Sequence, residues 1–288
     1  MDPALTALLL AASCSPQKEA PKPSAAGGTT GAEGTAAAGS GTATYDPKTD
    51  PLVNPKQAYE KAPADRALIA SDETLVRYLD GNPNSLNPLF ASSRVEFNLG
   101  ELLWDGPFTF DTRMNWMTNP TVVASYEESP DHLVNTLKLK PGLRWQDGQP
   151  FTSEDICWSF KEIMDERVPC PAVRSGTDQL AKCEALDPLT VRYTHKEALP
   201  TNKWNVNFPL VPKHLYEKDK EKTPDLKTGD YYVKLNRLPV GNGPYKIVSW
   251  LENDKMELER WEDYPGPKPY FKRLVFRIIP DANIELLT

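Results

Sequence analysis

Histidines, cysteines, paired carboxylates and glycine-rich turns bound the chemistry this sequence can perform. His132, His195 and His214 are the only histidines among 288 residues. None stands at a metal-ligand spacing from another or from a cysteine, and each is expected at the surface or in a cap. Asp147, Glu154 and Asp155 form an acidic cluster of the kind that supports general acid/base catalysis. Their context gives all three structural work, with Asp147-Gly148 as a turn and Glu154 and Asp155 at the charged start of a helix. A secreted hydrolase using Asp147 or Asp155 is therefore the rival reading. Gly241-Asn242-Gly243-Pro244-Tyr245 lacks the lysine and Ser/Thr of a P-loop, and Pro244 removes a backbone donor. A strand follows it, so the glycines read as a tight lead-in turn to a hairpin. There is no Gly-x-Ser-x-Gly elbow and no Cys/His nucleophile arrangement. No catalytic residue, metal site or cofactor is assigned.

The seven tryptophans offer a different chemistry, because aromatic side chains can wall a ligand cleft. Trp158, on a helix, and Trp250, in a hairpin, are assigned to the core. Trp104, Trp116, Trp145, Trp204 and Trp261 divide between core and cleft.

The elements that must position these groups are mostly strands. Glu73 to Leu79 is rich in β-formers, and Leu133, Leu137 and Leu139 share one parity. Leu189, Val191 and Tyr193 alternate with polar residues. Tyr245–Leu251 and Lys255–Trp261 flank Glu252-Asn253-Asp254, a hairpin turn. Leu274, Phe276 and Ile278 alternate with Val275, Arg277 and Ile279, which predicts a strand inside a sheet. Thr152 with Asp155 three residues on predicts a capping box, and Ile156, Phe160 and Ile163 continue at helical spacing. A second helix is expected after Pro212, carrying Leu215 and Tyr216. The body is mixed α/β and is expected from about Asp65 onward.

Composition narrows the partners. A net charge of -7 argues against an extended nucleic-acid surface. No apolar run reaches the roughly 18 to 20 residues that span a bilayer. Proline, 28 residues in all, is well above its usual share and favours loops over a helical bundle.

At the N-terminus an apolar run from Ala4 ends in Ala11-Ala12-Ser13-Cys14, which resembles the lipobox of bacterial lipoproteins. That resemblance implies a signal segment over 1–14 and lipidation of Cys14. Residues 15–64 read as a flexible tether, since every residue from Ser24 to Thr44 except Glu33 is Ala, Gly, Ser or Thr. With Cys14 assigned to lipid and Cys157 to a buried helix face, Cys170 and Cys183 are the expected disulfide in an oxidising compartment.

Several further segments occur in an order that resembles the family 5 extracellular solute-binding proteins, the peptide-binding components of bacterial ABC importers. They are Asn84 to Pro88, Gly100 to Trp104, Pro120 to Lys140, Pro141 to Asp155, Leu186 to Val191, Val211 to His214, Val240 to Tyr245 and Tyr264 to Asp281. The resemblance covers about residues 67 to 288. It implies a periplasmic-binding-protein-like, two-lobed fold of which residues 65–288 supply mainly the first lobe, with Thr288 falling where the crossover to the second should begin. It also implies a monomer at the extracytoplasmic membrane face that takes a peptide, or a sugar or nickel complex, into an interlobe cleft and delivers it to a permease with its ATPase. Ser85, Leu86 and Asn87 are the first cleft candidates, because the fold's first strand ends at the cleft; Glu101 and Trp104 follow. Trp145, Asp147, Gly241, Gly243 and Tyr245 are assigned to fold integrity. A tethered surface adhesion module is the third reading.

Overall fold

The computed structural model describes residues 72–111, 115–222 and 230–279. The expected signal segment with Cys14, the tether over 15–64 and the expected onset at Asp65 lie outside the described residues. In chain order the elements are β1 (Thr74–Leu79), α1 (Arg94–Leu103), β2 (Phe108–Phe110), β3 (Trp116–Thr118), β4 (Val123–Glu128) and β5 (Val134–Leu139). Then follow α2 (Ser153–Met164), α3 (Pro171–Thr177), β6 (Leu180–Asp187), β7 (Thr190–His195), α4 (Asn202–Asn205), α5 (Lys213–Lys222) and α6 (Asp230–Leu235). The hairpin β8 (Tyr245–Leu251) and β9 (Lys255–Arg260) and the strand β10 (Arg273–Ile278) complete them.

One four-stranded sheet runs β4-β5-β7-β6 and is antiparallel throughout. Alternation decides its inner face: Leu137, Leu139, Val191 and Tyr193 are fully buried. Helix α2 lies against this sheet, with Ile156 and Ile163 buried. It starts where the sequence predicts, at a Thr152 cap whose capping box with Asp155 is complete. The expected helix after Pro212 is α5, and Tyr216 is buried against Trp158 of α2, with ring centroids 6.1 Å apart.

The other four-stranded sheet runs β1-β10-β9-β8. Its two antiparallel pairs come from neighbouring sequence, whereas β1 joins β10 in parallel, from Thr74 opposite Arg273 to Leu79 opposite Ile278. The expected interior position of β10 is thus met. Helix α1 supplies Leu99, Leu102 and Leu103 to a core with Leu79, Met256, Leu258, Leu274 and Ile278. The hairpin turn places Asn253 at φ 58°, a left-handed conformation that asparagine tolerates.

Two expectations are corrected. The disulfide joins Cys157 to Cys183, with Cα atoms 5.3 Å apart, not Cys170 to Cys183. Cys183 lies in a strand rather than a loop and faces α2, where the inward side of the helix presents Cys157. Cys170 is a buried free thiol at the start of α3, beside the Ile163 carbonyl. His195 is not a surface residue: it is 3% exposed at the end of β7, on the face it shares with Tyr193.

Candidate functional site

The first candidate segment, Ser85-Leu86-Asn87, owes its shape to Glu96. Ser93 caps α1, and Glu96 closes the capping box. The Glu96 side chain is 3% exposed. Its Oε1 accepts the backbone N–H of Asn84 at 2.7 Å and of Ser85 at 3.2 Å. Its Oε2 accepts those of Ser92 at 2.6 Å and Ser93 at 2.8 Å. Burial alone would raise the pKa of this carboxyl, but the backbone donors outweigh it and hold the group below its ordinary value. Glu96 thus folds the 84–93 loop onto the start of α1.

The candidates inside that loop turn inward. Ser85 Oγ donates to Asn236 Oδ1 at 3.1 Å and accepts the Asn87 N–H at 3.0 Å. Asn87 Oδ1 accepts the Leu89 N–H at 3.1 Å, and the Leu86 N–H donates to the Asn236 carbonyl at 2.7 Å. All three residues are buried, Asn87 completely. Glu101 is exposed on the last turn of α1. Trp104, just past that turn, is partly buried against both hydrophobic cores and meets Trp145 edge to face at 6.3 Å. The structure therefore brings Ser85, Leu86 and Asn87 together as an internal brace and leaves Glu101 facing outward near the other end of α1.

Between these cores runs the segment Val240 to Tyr245, which bends at Gly243 and Pro244 into β8 and whose glycines also allow a close backbone approach. A Cβ on Gly241 would stand 2.0 Å from the Leu103 carbonyl oxygen; one on Gly243 would stand 2.6 Å from both Leu103 C and Trp104 N. Neither glycine has a positive φ, so close backbone approach is what requires them. Gly243 N–H donates to the Leu103 carbonyl at 2.9 Å. On the other flank Gln146 Nε2 donates to the Gly243 and Tyr245 carbonyls at 3.0 and 2.7 Å, and Gln146 Oε1 accepts the Gly241 N–H at 3.2 Å. Asn242 exchanges two bonds with the Asp105 backbone, at 2.9 and 2.8 Å. The buried Asp105 carboxylate accepts Asn119 Nδ2 at 3.3 Å and the Tyr264 hydroxyl.

Trp145 is fully buried, and Tyr245, also fully buried, donates to the Phe271 carbonyl at 2.9 Å. Asp147 bonds His214 Nε2 at 2.6 Å, joining the turn to α5. Burial pushes the Asp155 carboxyl up, although the Thr152 and Lys213 backbone N–H groups oppose it; both bonds are structural. Among the described residues no group of three or more His, Cys, Asp or Glu is placed to hold a metal ion. Phe110, Trp116 and Trp204 form an aromatic cluster under Lys203, with Trp204 still 42% exposed.

Sequence reasoning missed Glu96, Asn236, Asp105 and Asn242. Glu96 carried a legible signal, the capping-box spacing of Ser93-Arg94-Val95-Glu96. The other three are recognisable only once distant segments meet.

This architecture occurs in known proteins. The "ABC Transporter Substrate Binding Protein CtaP" of Listeria monocytogenes superimposes with a TM-score of 0.63 at 30% identity, over 74% of this chain and 42% of that one. Among curated relatives, "Protein XP55" of Streptomyces lividans is 27% identical over 214 residues, 74% of this chain and 36% of that protein. The "Oligopeptide-binding protein AppA" of Bacillus subtilis (strain 168) is 23% identical over 208 residues, 70% of this chain and 36% of that protein. The chain thus spans less than half the length of these relatives, and its fold is mixed α/β and periplasmic-binding-protein-like, consistent with one lobe. By name CtaP is a substrate-binding protein and AppA an oligopeptide-binding protein, and among the described residues no helix is long and apolar enough to cross a membrane. The family model for bacterial extracellular solute-binding proteins, family 5, matches residues 118–287, more than half of the sequence, and the chain belongs to that family.

Proposed function

We propose that this chain is the ligand-capturing component of an ABC importer, that its solute is a peptide, and that a lipid on Cys14 holds it at the extracytoplasmic face of the membrane. The family match over 118–287 carries the proposal, and the name of the AppA relative favours peptides. The tether over 15–64 would let the body reach a permease whose separate ATPase drives uptake, while the protein itself works as a monomer. Residues 65–288 would form one wall of an interlobe cleft, and closure onto a second wall would add contacts made only in the shut form.

The five candidate residues take different parts in this reading. Glu101, exposed and acidic, is the group able to meet a peptide ammonium, and Trp104 shapes the surface beside it. Ser85, Leu86 and Asn87 act from behind by fixing the loop that leads into α1. The hydrolase reading gains nothing from Asp147, bonded to His214 and the Gln149 backbone amide, or from Asp155, bonded to the Thr152 and Lys213 backbone amides and the Thr152 hydroxyl.

A thermal-shift screen of the complete, two-lobed protein with di- to pentapeptides, cello-oligosaccharides and nickel chelates tests the ligand class. Stabilisation by peptides without turnover is expected, and Glu101→Gln should weaken it by about tenfold, as for loss of one charge-assisted contact. Stabilisation by sugars or chelates alone would reassign the solute, and turnover would restore the hydrolase. Palmitate labelling tests the anchor: a Cys14→Ser variant that labels as well as the parent would refute it.

A further inference from the structure

The inner face of the antiparallel sheet carries polar groups that the binding function leaves unused. Asn135 on β5 and Tyr193 on β7 are cross-strand partners, and Glu128 on β4 lies opposite Asn135. Tyr126, two residues earlier on β4, and His195, two residues later on β7, share this face. His195 Nε2 is hydrogen-bonded to Asn135 Oδ1. Asn135 and Tyr193 are fully buried and His195 is 3% exposed. Yet Tyr126 Oη, Asn135 Nδ2, Tyr193 Oη and His195 Nδ1 make no hydrogen bond to any described residue.

Native interiors rarely leave one such atom unsatisfied, and four on a single face of three adjacent strands form a group. Aromatic rings rim them: Phe208 packs edge-on against Tyr193 at 6.3 Å, and Phe108 and Trp116 meet Tyr126 at 5.2 and 5.8 Å. The chemistry is complementary to one small molecule. Burial keeps both phenols protonated and the imidazole neutral. The hydroxyls both donate and accept, the amide donates, and an imidazole that gives its Nε2–H to Asn135 offers Nδ1 as an acceptor. Water, which needs two to four polar partners, fits this set.

We propose that Tyr126, Asn135, Tyr193 and His195 form an internal water-binding site that holds ordered water beneath the aromatic rim. Two measurements on the whole chain test it. A high-resolution crystal structure is expected to show water within hydrogen-bond distance of Tyr193 Oη and His195 Nδ1, and to show it displaced or depleted in Tyr193→Phe. The melting temperature of Tyr193→Phe gives a sign. A hydroxyl bonded to water makes the variant melt lower, by about 2–4 °C for a domain of this size, whereas a dry, unpaired hydroxyl makes it melt at the same temperature or higher. Direct bonds among the four side chains with no water between them, or a melting temperature that is unchanged or raised, would overturn the proposal.

Discussion

The two four-stranded sheets solve the same problem in opposite ways. The β4-β5-β7-β6 sheet closes within residues 123–195, pairs only antiparallel strands and is stitched to its covering helix by the Cys157–Cys183 disulfide. The β1-β10-β9-β8 sheet has no cross-link and recruits its edge strand from about 200 residues away. Polar and backbone contacts outside the sheet brace the elements around it: Glu96 behind the 84–93 loop, and the glycine segment pressed against the end of α1. Covalent and local restraints hold the first sheet, and close backbone packing holds the second.

The sharpest way to break this contrast is at the glycines. Gly241→Ala should cost more than about 4 kcal/mol by urea denaturation, because the obstacle is backbone that cannot swing aside. Gly142→Ala is the control: nothing lies within 4 Å of its Cβ, but its φ is +81°, so a loss of about 1 kcal/mol is expected. Similar losses at both positions would mean that the segment is not held by close approach.

Removing the cross-link tests the other side. Cys157→Ser with Cys183→Ser should cost about 3 kcal/mol in the chain-entropy model for a sequence separation of 26. Hydrogen exchange should quicken in β6 and β7 and stay unchanged in β9 and β10. Equal quickening in both sheets would erase the distinction between them.

Glu96→Gln comes next, at about 2 kcal/mol, since the amide NH2 replaces one of the two carboxylate oxygens and leaves two of the four backbone N–H donors without an acceptor. The folded pKa is depressed, so this carboxylate stabilises the protein above the ordinary value of 4.5, and the benefit is lost as pH falls through the lower folded value. The stability gap between parent and variant should therefore narrow below about pH 4.5. A gap that widens on acidification would contradict the role given to the Glu96 carboxylate. Least of all, Lys182→Ala, which removes an exposed pair with Glu184 at 2.6 Å on β6, should change stability by less than about 0.5 kcal/mol.

What the sequence disclosed follows the range of the interactions. The Thr152 cap, the 245–260 hairpin and the alternation of β7 depend on neighbours, and each is where it was expected. Gly241 and Gly243 read locally as a lead-in turn, whereas the close approach that requires them is to Leu103, far off in sequence. For Cys183 secondary structure decides the partner: a loop residue there would pair with Cys170, whereas an inward strand residue pairs with Cys157. Nothing near His195 in sequence reveals that this strand end is covered. In the candidate site, Ser85, Leu86 and Asn87 stood out as a segment, but their inward bonds to Asn236 link positions about 150 residues apart.

The parallel pairing of β1 with β10 also sets a clock. Chain grows at roughly 5–20 residues per second, so β10 follows β1 from the ribosome by about 10–40 s. The antiparallel sheet has all its strands once His195 has emerged and can condense early. Through that interval the apolar stripe of α1 and the inner side of β1 have no sheet to cover them, a nascent surface that a holdase can grip and a neighbouring chain can capture.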